Sequence, residues 1–243
     1  MTEKFQISRQ PLFLQVKRAV IHSITSGEWP PGCMLPPEPE LCARFGVSIG
    51  TLRRAIGELV AEDKLIRRQG HGTFVRSYTN NTYWNRFQRY EGVNGKLIVW
   101  SSELVQFERL RPDGVVAKAL KLAEDERVVH IVRKIWRNDK RLYCGRDDVF
   151  LPASKCPHLD PSDFNNFSSS LYAFFERKLN IVITNVADTL QAYVVDETLA
   201  RFTELPMGKP MFCLTRIGYT YNQEPVEYRL EYTLAEDLKI RLD

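Results

Sequence analysis

The sequence predicts an α+β protein of two domains, and three observations support this fold class. Within residues 1–76, apolar residues recur at helical spacing three times and a hairpin pattern follows. Residues 96–243 alternate strand-like runs with helix-like segments, which is typical of a mixed sheet with helices between its strands. The polar stretch over residues 77–95 separates the two parts and is predicted to be a linker.

The N-terminal domain begins with a helix predicted over residues 11–26. Its sequence PLFLQVKRAVIHSITS places the aliphatic side chains on one face, and Gly27 is a stop signal. The next segment, GEWPPGCMLPPEPE, is a proline-rich connector that we expect to lack regular structure. A short helix follows over residues 39–45, and Gly46 is expected to end it.

A third helix is predicted over residues 49–62. Ser48 fits its N-cap, because a serine hydroxyl can accept a hydrogen bond from a free N–H of the first turn. Arg53 and Arg54 lie on the outer face of this helix. Its inner face carries Leu52, Ala55, Ile56 and Leu59.

A hairpin is predicted over residues 64–75, KLIRRQGHGTFV, around the turn QGHG. Three helices followed by a hairpin are typical of a winged helix-turn-helix, whose third helix enters the DNA major groove by its N-terminal end. The charge distribution favours the same partner. Residues 1–76 contain 11 Lys and Arg against 7 Asp and Glu, which is the whole net charge of +4, whereas residues 77–243 contain 23 of each.

The second domain contains two hairpin sequences that resemble each other. In each, an arginine precedes a turn by six residues, from Arg133 to Asp139 and from Arg216 to Asn222, which suggests a duplicated unit within one sheet. Strand-like runs at 97–107 and 127–137 and helix-like segments near 113–122, 170–179 and 195–204 surround these hairpins.

The N-terminal segments PLFLQVKRAV, PPGCMLPPEPELCARFGVS, TLRRAIGEL and QGHGTFV resemble, in order, the winged-helix domain of the GntR family of bacterial transcription regulators. Residues VVHIVRKIW, SSSLYAFFE and LPMGKPMFCLTRIGYTYNQEPVEY are similar to the UTRA effector-binding domain of its HutC-type subgroup. The resemblance implies a homodimer that binds double-stranded operator DNA and responds to a small-molecule effector. It also implies a chorismate-lyase-like fold in the second domain without the activity of that enzyme.

The resemblance and the helix-entrance position together give the candidate DNA contacts. Arg53 matches a DNA-contacting arginine of the family, and the hairpin tip is expected near the minor groove or the sugars. Two positions depart from the family: Ile49 and Pro39 stand where arginine is usual. An apolar Ile49 could touch a thymine methyl group instead. The candidates are Ser48, Ile49, Gly50, Thr51, Arg53, Arg54, Arg68, Gln69, Gly70 and His71.

The candidate effector contacts combine a predicted pocket arginine with a serine-rich helix start. Arg133 shares a strand face with aliphatic residues and matches a family position that often binds an anionic group, and Glu227 matches a glutamate that often holds hydroxyls or amines. The count along the strand leaves open whether Asp147 or Arg146 faces the pocket. The candidates are Arg133, Arg137, Asp147, Ser168, Ser169, Ser170, Tyr172, Glu227 and Tyr232.

No motif in the sequence indicates catalysis, a metal site or a cofactor. The four histidines and five cysteines lack metal-ligand spacing, and no phosphate-binding glycine loop or nucleophile elbow occurs. No run approaches the roughly 18 apolar residues of a membrane span. Scattered cysteines and the lack of a signal-peptide pattern favour a reduced, cytoplasmic location. The alternatives left open are a second domain with lyase-type activity and a DNA-binding protein that senses no ligand.

Overall fold

The computed structural model describes residues 10–77, 87–96, 98–138, 142–165 and 170–241. The chain divides into two compact units, Met1–Tyr78 and Thr79–Asp243. Among the described residues, no helix combines the length and the apolar character that a bilayer crossing requires. All five cysteines are free thiols.

The first unit contains three helices and one antiparallel hairpin, in the predicted order. The second helix ends at Gly46, whose φ of 63° is left-handed. The aliphatic inner stripe of the third helix is fully buried, so this helix packs by one face only. The elements are α1 (Leu12–Thr25), α2 (Glu38–Phe45), α3 (Ile49–Ala61), β1 (Leu65–Arg68) and β2 (Gly72–Val75). The connector expected to lack regular structure adds one β-bridge, from Met34 to Phe74.

The second unit is built on a six-stranded sheet in the order β4-β5-β6-β9-β8-β7. The sequence predicted a mixed sheet, and every strand pair described here is antiparallel. The elements are β3 (Tyr90–Gly92), β4 (Trp100–Leu110), α4 (Gly114–Leu120), β5 (Val128–Arg137), β6 (Leu142–Pro152), α5 (Leu171–Phe174), β7 (Asn185–Val194), α6 (Glu197–Thr203), β8 (Pro210–Tyr219), β9 (Pro225–Leu234) and β10 (Leu238–Ile240). The α+β fold class is confirmed.

The sheet contains the same arrangement twice. The order β4-α4-β5-β6 repeats as β7-α6-β8-β9, and the two copies meet where β6 pairs with β9. Arg133 and Arg216 occupy equivalent strands, the middle one of each copy. The duplication that the two hairpin sequences suggested therefore has a counterpart in the topology.

The two faces of the sheet are covered differently. Helices α4 and α6 pack on one face, against alternate β9 residues from Tyr228 to Leu234, and we call this the α4/α6 face. The opposite face carries Arg133 and packs against aromatic residues of α5 and of the π-helical turn Phe175–Leu179. We call it the Arg133 face.

Two predictions for this unit need correction. Part of the predicted linker 77–95 is a strand, because β3 pairs with β10 at the far end of the chain. A local sequence pattern does not show so distant a partner. The predicted helix over 170–179 is α-helical only in α5, with the π-helical turn completing it.

Candidate functional site

The entrance of α3 presents polar and apolar groups on an exposed surface of the first unit. The hydroxyl of Ser48 accepts a hydrogen bond from the backbone N–H of Thr51 at 3.3 Å and lies 3.0 Å from the Thr51 hydroxyl. Ile49 is 46% exposed, and Gly50 beside it is also exposed. The predicted N-cap is therefore present. Exposed N–H groups at the positive end of a helix favour contact with phosphate.

Each outward arginine of α3 has a partner within the first unit. The Arg53 Nε donates to Glu38 Oε2 at 2.8 Å, while 61% of the arginine side chain remains exposed. The Arg54 guanidinium lies 3.8 Å from the ring centre of Phe13, and its Nε lies 3.8 Å from Glu58. Sequence reasoning missed both Glu38 and Phe13, because the signal for them is tertiary contact and not local pattern.

At the hairpin tip, every residue predicted to contact DNA is exposed. Gly70 has a φ of 73°, a left-handed value that glycine tolerates and most other residues avoid. His71 Nδ1 lies 2.9 Å from the carbonyl oxygen of Gln69, which closes the tip on itself. The Arg68 guanidinium lies 4.7 Å from the ring centre of Phe74. Of the ten predicted DNA contacts, only Thr51 is partly buried.

In the second unit, buried charges form a row across the Arg133 face. The Arg133 Nε donates to Asp147 Oδ2 at 2.9 Å, and its Nη1 donates to the Ser102 hydroxyl at 2.9 Å. Asp147, which is fully buried, also forms an ion pair with Arg229, and Arg229 forms a second one with Glu231. Three adjacent strands thus contribute alternating charges to one buried network.

Asp147 and Arg146 lie on opposite faces of the sheet. Asp147 lies on the Arg133 face, whereas Arg146 lies on the α4/α6 face and binds Asp148 with Nε–Oδ2 and Nη2–Oδ1 distances of 2.6 and 2.8 Å. The pairing of β5 with β6 shifts by one residue next to Cys144. This bulge is the extra residue that made the sequence count ambiguous.

A second cluster on the same face centres on Glu227. This side chain is fully buried, and its Oε2 accepts a hydrogen bond from the Tyr172 hydroxyl at 2.7 Å. Its other carboxylate oxygen, Oε1, has no hydrogen-bond partner in the described part of the chain. Burial raises the pKa of Glu227, while the charge of Arg229 opposes the increase.

Arg216 connects this cluster to the segment before β3. It binds both oxygens of Asp188 at 2.7 Å, and its Nη2 donates to the carbonyl oxygen of Phe87 at 2.6 Å. Arg89 also donates to Asp188, at 3.0 Å. Burial raises the pKa of Asp188, but Arg216 and Arg89 lower it by more, so the pKa lies below its ordinary value. Sequence reasoning used Arg216 only as a sign of duplication and missed Asp188.

The aromatic ring of Phe87 also contacts this cluster. It packs edge-on against Tyr172, with ring centroids 5.7 Å apart. Tyr172 therefore contacts Glu227 on one side and the segment before β3 on the other, and its hydroxyl lies 3.5 Å from Arg216.

The serine-rich helix start is described only in part. Ser168 and Ser169 lie outside the described residues. Ser170 is the N-cap of α5, where its carbonyl accepts from the N–H of Phe174, although its hydroxyl caps nothing. A groove of about 720 Å³ opens between residues 102–104 of β4 and the segment from Asp160 to Asn165.

Two predicted effector contacts lie apart from the network. Tyr232 is on the α4/α6 face, where it packs against Tyr193, because successive strand residues point to opposite faces. Arg137 lies at the far end of β5 from Glu227 and donates to the carbonyl of Glu236 at 3.2 Å. The structure brings together Arg133, Asp147, Tyr172 and Glu227. Tyr232 and Arg137 lie outside this group.

Comparison with known proteins matches both units. Residues 12–75 match the family described as bacterial regulatory proteins, gntR family, and residues 98–239 match the UTRA domain. A protein named probable fructoselysine utilization operon transcriptional repressor, from Escherichia coli strain K12, is 26% identical over all of this chain and 98% of its own length. The histidine utilization repressor of Pseudomonas putida is 27% identical over 90% of this chain and 87% of its own.

Solved structures agree with the fold of the second unit. The ligand-binding domain of a regulator assigned to the GntR family, from Bordetella bronchiseptica, has a TM-score of 0.61 and 26% identity, covering 65% of this chain and 97% of its own. Bacillus subtilis YydK covers 96% of this chain and 99% of its own with a TM-score of 0.54, and at 18% identity it supports the fold alone. The names of these relatives are those of regulators and not of enzymes. The chain belongs to the GntR family of bacterial transcription regulators, with a winged helix-turn-helix followed by a UTRA domain.

Proposed function

We propose that this protein is an effector-responsive repressor that works in the cytoplasm and binds a palindromic operator as a homodimer. A small polar or anionic metabolite releases it from the operator or stabilises it there. The observation that carries the effector half of the proposal is the orphaned Oε1 of Glu227, deep in a network of buried charges. Buried polar atoms almost always have a partner, so an orphan oxygen supports a ligand that donates to it.

The DNA-reading half of the proposal rests on α3. Its exposed entrance, with Ser48 as cap and Arg53 and Arg54 pointing outward, suits entry into the major groove. Arg53 is the best candidate for a bidentate contact with guanine, and Ile49 for contact with a thymine methyl group. In a dimer, two such helices would read half-sites about 10 base pairs apart, or a multiple of that distance.

The effector would bind on the Arg133 face. The arginines there already have carboxylate partners, and the groove lined by Ser102 lies at the Arg133 end of this face, since the Ser102 hydroxyl accepts from Arg133. A ligand that donates to Oε1 of Glu227 would share the carboxylate with Tyr172, which binds Oε2, and would thereby alter the hydrogen bond of Tyr172. Because Tyr172 also packs against Phe87, the segment leading back to the first unit would sense the change. Ligand binding would thereby shift the population of operator-binding states.

Selection of bound duplexes from a random DNA pool, with the full-length chain, tests the proposal. One sequence class should be enriched, and addition of a metabolite library should change its occupancy. Arg53→Ala should lower affinity for the selected duplex by about tenfold or more, since a bidentate contact contributes about 1–3 kcal/mol of discrimination.

Arg201→Ala is the matched control for this experiment, because Arg201 is an exposed helical arginine of the second unit. The control should bind like the original chain. Recovery of no preferred duplex at moderate salt, or an Arg53→Ala variant that binds as tightly as the control, would contradict the proposal.

A further inference from the structure

The ion pair between Arg53 and Glu38 occupies one side of the guanidinium and leaves the other side open. Glu38 Oε2 accepts from Nε at 2.8 Å. In the part of the chain that the structure describes, the two terminal amino groups of Arg53 have no hydrogen-bond partner. Those two groups form the planar fork that reads O6 and N7 of guanine.

The backbone that carries Glu38 is unusually stiff. Pro37 is the N-cap of α2, Glu38 is its first residue, and Pro39 is its second. Each proline ring fixes φ, and the missing N–H of Pro39 costs nothing in a first turn whose N–H groups have no helical partner. The carboxylate therefore extends from a short, rigid segment at a fixed position next to α3.

This ion pair contributes little to the stability of the protein. Its arginine is mostly exposed, and exposed ion pairs contribute little to folding free energy. A carboxylate at a surface that meets phosphates also weakens non-specific attraction to DNA. An arrangement that contributes little to stability and opposes general DNA affinity fits a role in selecting sequence.

We propose that Glu38 is a positioning residue that holds Arg53 in its reading orientation and makes the surface discriminate between base pairs. The inference rests on the proposed contact of Arg53 with DNA. Glu38 fixes the guanidinium plane through Nε before DNA binds, so less side-chain freedom is lost on binding. Pro39, standing where an arginine is usual, stiffens the segment that carries the carboxylate and makes no charged DNA contact.

The test compares sequence discrimination by full-length variants. Discrimination is the affinity for the selected duplex divided by the affinity for duplexes in which each G·C pair is replaced in turn. Glu38→Ala should lower it by about five- to tenfold at one guanine position, because a misoriented fork loses much of a bidentate contact. Affinity for random duplex should stay equal or increase, because a negative charge is removed. Glu38→Gln keeps an oxygen acceptor, so its discrimination should lie between that of the original chain and that of Glu38→Ala.

Glu40→Ala is the matched control, since it removes the same charge from the same turn of α2 at a residue that points to another side of the helix. Glu40→Ala should change non-specific affinity as much as Glu38→Ala does and should leave discrimination unchanged. In an Arg53→Ala background, Glu38→Ala should have no further effect on discrimination.

Each remaining outcome overturns the inference in a distinguishable way. If Arg53→Ala lowers discrimination but Glu38→Ala behaves like Glu40→Ala, the positioning role alone is wrong. If Arg53→Ala has no effect either, the placement of α3 against the bases is wrong and the positioning role falls with it. If Glu38→Ala loses affinity for all duplexes and melts at a lower temperature, Glu38 has a structural role only.

Discussion

Among the described residues of the Arg133 face, Arg133, Arg216 and Arg229 each have a carboxylate partner, whereas Glu227 forms no ion pair. Arg133 and Arg229 share Asp147, and Arg216 has Asp188. An isolated buried charge is costly, whereas a paired and hydrogen-bonded one is tolerated. Glu227 is fully buried with one oxygen unpartnered, so it is the place where the network is least satisfied without a ligand.

This imbalance predicts that Glu227→Gln stabilises the protein in a pH-dependent way. Burial raises the pKa of Glu227 above its ordinary value of 4.5, so the folded state favours the protonated form. Below pH 4.5 the carboxyl is neutral in both the folded and unfolded states, and the variant should match the original chain. As pH rises through the raised pKa, the original chain should lose stability that the variant keeps.

Thermal melts of both proteins without ligand, at pH 4 and pH 7.5, check this expectation. The gap in melting temperature should favour Glu227→Gln and should widen toward pH 7.5. A gap that is the same at both pH values would mean that the buried carboxyl does not change its protonation in this range.

Sequence reasoning identified several members of this network and missed others for a physical reason. Glu227 and Arg133 were named from resemblance to a family, and their common face depends on the pairing of β5 with β6 and of β6 with β9. Asp188, Arg229 and Glu231 were missed, because their importance depends on which strands lie side by side. Strand order is a property of the whole sheet and leaves no local pattern.

At the scale of elements, the junction of β6 and β9 brings two strand backbones close together at Gly145. The two copies of the repeated arrangement meet there, next to the bulge at Cys144. A Cβ atom placed on Gly145 would lie 2.1 Å from the carbonyl oxygen of Tyr232, so the two backbones approach more closely than any side chain allows. The glycine is thus required by packing and not by a turn.

We therefore expect Gly145→Ala to destabilise the second unit by about 1–3 kcal/mol or more, because the added atom must push the paired strands apart. Urea unfolding followed by circular dichroism measures this. Gly114→Ala is the control, since its added Cβ would meet no atom within 4 Å. It starts α4, where alanine is at least as favourable as glycine. Equal midpoints for the two variants would contradict the close strand approach.

Elements were predicted well where local sequence determines them. The three helices and the hairpin of the first unit were predicted from capping residues and apolar spacing, each within about two residues of its bounds. Strand β3 was missed, because its sequence is polar and its partner β10 lies at the other end of the chain. Pairing between distant segments decides that strand.

At the scale of the whole molecule, the repressor proposal requires a physical link from the buried site to the first unit. All excess positive charge lies in residues 1–76, so net charge favours contact with DNA by the first unit. The covalent chain is one such link. Residues 87–89 are the first described after residue 77, and they contact Tyr172, Arg216 and Asp188.

Phe87→Ala should therefore separate ligand binding from the DNA response. Its ring packs against Tyr172, and the bond from Tyr172 to Glu227 does not involve that ring, so a ligand found by thermal-shift screening of a metabolite library should still raise the melting temperature. Operator affinity, measured with and without that ligand, should no longer change, because the tyrosine has lost its contact with the segment before β3.

Phe107→Ala is the matched control, since Phe107 packs against the same apolar cluster from β4, where its ring lies 6.3 Å from that of Phe164. It should lose similar stability and keep the ligand-dependent change in affinity. If Phe87→Ala keeps the full change while Phe107→Ala behaves normally, the signal does not pass through this aromatic contact. The ion pairs of Arg216 and Arg89 with Asp188 would then be the part of the segment to alter next.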